Sequence, residues 1–66
     1  MKYYIINHID NRKIEISRSS AITSLSGVSH NPKVDLEKME DNAKDGWFQT
    51  KKLTFNTLQV EQEKHE

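Results

Sequence analysis

The 66-residue chain has no cysteine, a single proline, only two glycines and no excess charge of either sign, its ten basic side chains being matched by ten acidic ones. The missing cysteines exclude a disulfide framework and thiolate zinc sites, the staples by which many very small domains offset a thin core. An intracellular protein is the simplest expectation. Long hydrophobic runs are missing too: the longest, Tyr3 to Ile6, is too short for a signal-peptide core or a membrane span. A soluble protein of the cytoplasm, with no membrane contact, is expected. No internal repeat and no linker composition interrupts the chain, so it reads as one small domain over residues 1–60 with a polar, frayed tail at 61–66.

What is present is a chain 33% hydrophobic and 30% charged, more polar than an average domain, with its apolar residues clustered and periodic rather than diluted. That pattern favours a packed core over disorder. A domain of this length buries only about 60% of the surface its unfolded chain exposes. A marginal monomer or a homodimer is therefore expected.

Residues 3–17, YYIINHIDNRKIEIS, alternate as a β-hairpin with Asp10-Asn11 as a two-residue turn. This turn sets Ile9 opposite Arg12, Asn7 opposite Ile14, Ile5 opposite Ile16 and Tyr3 opposite Arg18, with Tyr3, Ile5, Ile9, Ile14 and Ile16 on one side. A turn of three or four residues would change the pairing. Ser17 or Ser19 can then cap a helix whose apolar stripe is Ala21, Ile22 and Leu25. Gly27 ends that helix, and Val28 is expected to plug into the core. Asn31-Pro32 opens a second helix, Asn31 as the cap and Pro32 at the first helical position, where its missing N–H costs nothing. Leu36, Met39 and Ala43 form its stripe, Val34 stands near its start, and Asp45-Gly46 closes it.

Beyond the stop, residues 47–60, WFQTKKLTFNTLQV, are rich in aromatic, β-branched and Thr residues and favour strand. A turn near Lys51-Lys52 would fold them into a second hairpin, the wing of a winged helix. Leu53 and Phe55 have one parity and Leu58 and Val60 the other, which calls for a bulge near Asn56-Thr57 or a strand buried on both faces. Trp47-Phe48 reads as a core anchor rather than a base-stacking platform. The fold class expected is α+β: an N-terminal β-hairpin, two short helices in a helix-turn-helix-like arrangement, and a C-terminal strand or wing hairpin. Ile5, Ile16, Leu25, Leu36, Trp47 and Phe55 are expected to be largely buried.

Charge is neutral in sum but uneven along the chain. Residues 1–30 carry Lys2, Arg12, Lys13 and Arg18 against Asp10 and Glu15, and residues 47–60 carry Lys51 and Lys52 with no acid. Residues 31–46 set Asp35, Glu37, Glu40, Asp41 and Asp45 against Lys33, Lys38 and Lys44, and the tail sets Glu61, Glu63 and Glu66 against Lys64. Any nucleic-acid face must draw on the first and third of these segments in chain order.

The segment Leu25-Ser26-Gly27-Val28-Ser29 resembles the turn of helix-turn-helix proteins of the phage excisionase and MerR-like winged type, over residues 19 to 48. Thr23 stands where the family has a small residue, and Pro32 where it commonly has Thr or Ser. Short strand-helix-helix modules of phage homing nucleases are a looser comparison. The resemblance implies a winged-helix-like regulator or accessory protein of a phage or mobile element. It implies binding of double-stranded DNA by the start of the second helix, with His30, Asn31 and Lys33 nearest the bases. Arg18, Lys51 and Lys52, with Arg12 and Lys13, would flank the groove and bind phosphate without reading sequence.

Two other readings stand beside it. A helical hairpin packed on a sheet needs no nucleic-acid role, because acids along the second helix repel phosphate. Alternatively, Asp35, Glu37, Glu40, Asp41 and Asp45 present negative charge to the basic surface of a nucleic-acid-binding protein, as a small inhibitor of anti-defence or anti-repressor type. Catalysis has little support: His8, His30 and His65 fall in a hairpin, a turn and the tail, and the serines read as caps and turn formers. No metal or cofactor is expected, since a metal site needs several converging ligands and no pair of His stands at i, i+4 on one helix.

Overall fold

The computed structural model describes residues 1–46 and 48–62. The N-terminal hairpin forms from the alternation of Ile and Tyr: β1, Lys2–Asn7, pairs antiparallel with β2, Arg12–Ile16. Tyr3 faces Ile16, Ile5 faces Ile14 and Asn7 faces Arg12, so the expected register is corrected by two residues. The connection is four residues long, His8 to Asn11, rather than the two-residue Asp10-Asn11 turn. Asn7 Oδ1 accepts the Ile9 N–H at 2.8 Å, and Asn11 adopts φ 57°, a left-handed conformation that Asn tolerates because its short polar side chain bonds locally. A two-residue slip preserves parity, so the same side chains keep the inner face. Only Ile9 is lost from it, standing 84% exposed in the loop.

Ser17 caps the first helix, α1, Arg18–Leu25, its Oγ accepting the Ser20 N–H at 3.1 Å. Ala21 and Leu25 are buried and Ile22 half-buried, as the stripe requires. Val28 follows in the turn but is 42% exposed, so it does not plug the core. The second helix, α2, runs Pro32–Asp45, with Pro32 at its start and Gly46 beyond its end. Asn31 occupies the cap position, yet its side chain makes no capping bond. Leu36, Met39 and Ala43 are buried, while Val34 is turned outward.

The C-terminal segment forms β3, Phe48–Lys52, and β4, Asn56–Glu61. Their connection is residues 53–55 instead of Lys51-Lys52, closed by the Leu53 N–H donating to the Asn56 carbonyl at 2.7 Å. Placing the turn there removes the parity conflict without a bulge. Leu58 and Val60 share the inner face, and Phe55 rides in the turn 72% exposed, so it is not a core residue. Phe48 is also exposed, on the outer face of β3, so it is not the core anchor its neighbourhood suggested. Trp47 lies outside the described residues.

β4 pairs with β1, giving an antiparallel four-stranded sheet of order β2-β1-β4-β3. The C-terminal hairpin is thus half of the sheet, with Glu61 inside β4 and not in a frayed tail. Both helices pack on one face of the sheet, over Tyr3, Leu58 and Val60, with Ile5 and Ile16 half-buried at the margin. Leu25, Leu36, Leu58 and Val60 are wholly out of solvent. Burial of each such side chain contributes about 1.5–3 kcal/mol. Among the described residues no helix is long and apolar enough to cross a membrane.

Candidate nucleic-acid interface

The end of the molecule at which α2 begins is fixed by the sheet. Asn7, Arg12 and Asn56 lie at one end of their strands, so the connections 8–11 and 53–55 are at that end. Lys51, near the same end of β3, reaches Asp35 in the first turn of α2, so the preceding turn lies there too. His30, Asn31 and Lys33 are all exposed at this leading end. The first N–H groups of a helix lack intrahelical partners and carry partial positive charge, which suits an anionic ligand. Here Ser29 supplies what Asn31 does not: its Oγ accepts the Asn31 N–H at 3.2 Å and donates to the Asp35 carboxylate.

Four of the five candidate phosphate contacts are already engaged: Arg12 with Asp10 at 3.6 Å, Lys13 with Glu61 at 3.8 Å, and Arg18 and Lys51 with acids of α2. Arg18 forks onto Glu40, Nε to Oε2 at 3.0 Å and an Nη to Oε1 at 3.2 Å, while the buried Tyr3 hydroxyl donates to the same carboxylate. One residue from each of β1, α1 and α2 is thereby tied together. Burial works against ionisation of Glu40, but the bonds from Arg18 and Tyr3 outweigh it and hold the carboxyl below its usual range. Burial and the neighbouring Glu40 push the Tyr3 hydroxyl up to about 12. Lys51 similarly donates to Asp35 at 3.1 Å. The bonds from Ser29 and then Lys51 hold Asp35 below its ordinary value.

These two clusters change the charge left on α2. Asp35 and Glu40 face cations within the fold, and the acids that remain outward are Glu37, Asp41 and Asp45. Lys33, Lys38 and Lys44 are equally exposed, and Lys44 lies 3.6 Å from Asp41. The outward side of the helix is therefore balanced rather than acidic. Lys52 is exposed at the end of β3, on the opposite face of the sheet from Lys51. Of the six basic and polar candidates, His30, Asn31 and Lys33 come together, Lys52 stands apart, and Arg18 and Lys51 are structural.

The outer face of the sheet holds features that the sequence pattern did not single out. Lys13 lies over the Tyr4 ring, 4.3 Å from its centroid, with its ammonium 3.8 Å from Glu61. Gln59, beside Tyr4 in the ladder, is buried although no helix covers it. The parity of the strands was the available signal, since it puts Tyr4, Lys13 and Gln59 on one side once β1 and β4 are paired. No three His, Cys, Asp or Glu side chains converge as a metal site among the described residues. His65 lies outside them. Comparison with protein-family models, with curated proteins and with solved structures finds no match for this chain.

Proposed function

We propose that the protein is a small DNA-binding accessory or regulatory module that contacts duplex DNA with the leading end of α2. The observation that carries this reading is the pairing of Asp35 with Lys51 and of Glu40 with Arg18, which leaves the exposed group His30, Asn31 and Lys33 without a net acidic surface behind it. In the major groove, Asn31 suits the donor–acceptor edge of adenine and His30 a base edge or phosphate. Lys33 binds phosphate, and Arg12, at the same end of the sheet and paired with the exposed Asp10 at 3.6 Å, flanks it. With only these cations in play, and a formal net charge of zero, binding is weak and salt-sensitive.

The same pairing counts against the acidic-inhibitor reading, because two of its five residues are neutralised inside the fold. Fluorescence anisotropy with random and selected duplexes across a salt series tests the proposal. Lys33→Ala should weaken binding to all sequences and flatten the salt dependence by about one unit of slope, while His30→Ala should change sequence preference. Glu37→Lys with Asp41→Lys should strengthen DNA binding. No binding by the parent chain even at low salt, or DNA binding that neither Lys33→Ala nor this charge reversal changes, would overturn it.

A further inference from the structure

The two edges of the sheet end the same row of residues differently. Across the ladder, Ile14, Ile5, Leu58 and Lys51 lie side by side on the helix-covered face. At the β3 end the row finishes in Lys51, turned toward α2 and held by Asp35 at 3.1 Å. An inward-pointing charge on an edge strand is a known block to the addition of another strand. At the β2 end the row finishes in Ile14, which is 54% exposed. One edge is blunted and the other is apolar.

The hydrogen-bond pattern fixes which backbone groups the β2 edge offers. The Leu53 N–H bonds the Asn56 carbonyl, and antiparallel pairs alternate between bonded and non-bonded. Lys51 and Leu58 are therefore a bonded pair, so Thr57, Gln59 and Glu61 turn their groups toward β1. They meet Ile6, Tyr4 and Lys2, which leaves Tyr3, Ile5 and Asn7 to bond β2 through Ile16, Ile14 and Arg12. The main-chain groups of Lys13 and Glu15 then point away from the sheet, and no strand among the described residues meets them.

We propose that this edge binds a second copy of the chain, β2 against β2, antiparallel and centred on Ile14. The sequence of the strand, Arg12-Lys13-Ile14-Glu15-Ile16, suits a two-fold axis at that point. Lys13 comes opposite Glu15 of the partner subunit as a bonded pair, and the reverse, so all the outward groups are satisfied and opposite charges stand side by side on the outer face. Ile14 meets Ile14 of the partner subunit in the closer, non-bonded geometry and covers the apolar end of the row. Because Lys51 blunts the far edge of each copy, assembly stops at a closed dimer with one eight-stranded sheet instead of growing into a filament. The inference stands independently of the DNA-binding reading.

Sedimentation equilibrium of the full chain from micromolar to millimolar concentration, with amide exchange read residue by residue, is the test. A reversible monomer–dimer equilibrium is expected, with the Lys13 and Glu15 amides gaining protection as concentration rises. Ile14→Lys should weaken the dimer about tenfold or more, the equivalent of about 1.4 kcal/mol. Lys13→Glu alone sets like charges opposite one another and should also weaken it, whereas Lys13→Glu with Glu15→Lys should restore it; circular dichroism confirms folding of each variant. If Ile14→Lys does not fold, the charge-swap pair decides. A chain that stays monomeric throughout, or a dimer that forms with these amides unprotected and ignores the charge changes, would overturn the inference.

Discussion

On its inward side α2 buries Leu36, Met39 and Ala43 and commits Asp35 and Glu40 to partners in β3, α1 and β1; on its outward side and leading end His30, Asn31, Lys33, Glu37, Lys38 and Asp41 are all exposed. Both sides carry carboxylates, but those of the inward side are paired with cations from other elements, while those of the outward side stand among lysines of α2 itself. Asp35 precedes Leu36 and Glu40 follows Met39, so both acids sit at the margins of the apolar stripe, where neighbouring elements supply cations. Availability for a partner is set by position relative to that stripe and not by residue type. The contrast is between side chains that hold the fold and side chains that are free to bind.

The largest test of this contrast is truncation. Leu36→Ala should cost about 2–5 kcal/mol, because the site is enclosed by two helices and a sheet and can collapse only in part. Lys33→Ala, three residues away on the outward side, should stay within about 0.5 kcal/mol. Urea denaturation of the two variants measures both. Comparable losses would erase the distinction between the sides.

A smaller effect is expected from the cluster on Glu40, and pH reveals it from both directions. The carboxyl is held below its ordinary value of 4.5 in the folded state, so its contribution is fully present above that value and is lost as pH falls through the lower, folded one. Tyr3 is raised from 10.0 to about 12, which favours the neutral hydroxyl in the fold. Its contribution is fully present below pH 10.0 and disappears as pH climbs toward 12. Urea midpoints should therefore fall at both extremes. Glu40→Gln should lessen the acid-side fall and Tyr3→Phe the alkaline one. An acid limb unchanged in Glu40→Gln would mean that this carboxylate is not held by the fold. At neutral pH, Glu40→Leu should cost about 1–3 kcal/mol by leaving the buried Tyr3 hydroxyl without an acceptor.

Features determined by near neighbours were legible in the sequence. The hairpin, the Ser17 cap, the Pro32 start, the Gly46 stop and the stripe Leu36, Met39 and Ala43 each depend on a few adjacent residues. Hairpin register was not, because turns of two and four residues change every cross-strand pair while leaving the same side chains on each face, Ile9 excepted. Pairing of β1 with β4 joins the two ends of the chain and has no local signature. Without it, the turn at residues 53–55 and the exposure of Phe55 could not be separated from a turn at Lys51-Lys52.

The candidate site divides in the same way. Exposure of Lys33 follows from helix periodicity and that of His30 from its place in the turn, but Glu40 lies 22 residues from Arg18 and Lys51 lies 16 from Asp35. One local hint was present. Arg18 opens α1 with no acid in its first turn, where the helix dipole disfavours a cation. A base in that place is better explained by an acid elsewhere in the fold than by a free phosphate contact.

The smallest effect expected is at Asn31, and it sharpens the contrast at the leading end itself. A side chain that caps a helix costs about 0.5–2 kcal/mol when truncated to Ala. Asn31 holds the cap position without making the bond, whereas Ser29 Oγ receives the Asn31 N–H and donates to Asp35. Asn31→Ala should therefore change stability by less than about 0.5 kcal/mol, and Ser29→Ala should cost more because it removes both bonds. Paired thermal and urea melts give the order. If it holds, Asn31 joins His30 as a residue whose loss can be read in DNA binding without a folding correction, and the binding group becomes separable from the structure beneath it. If Asn31→Ala proves the costlier, its side chain is committed to the helix in solution, and the free surface at the start of α2 contracts to His30 and Lys33.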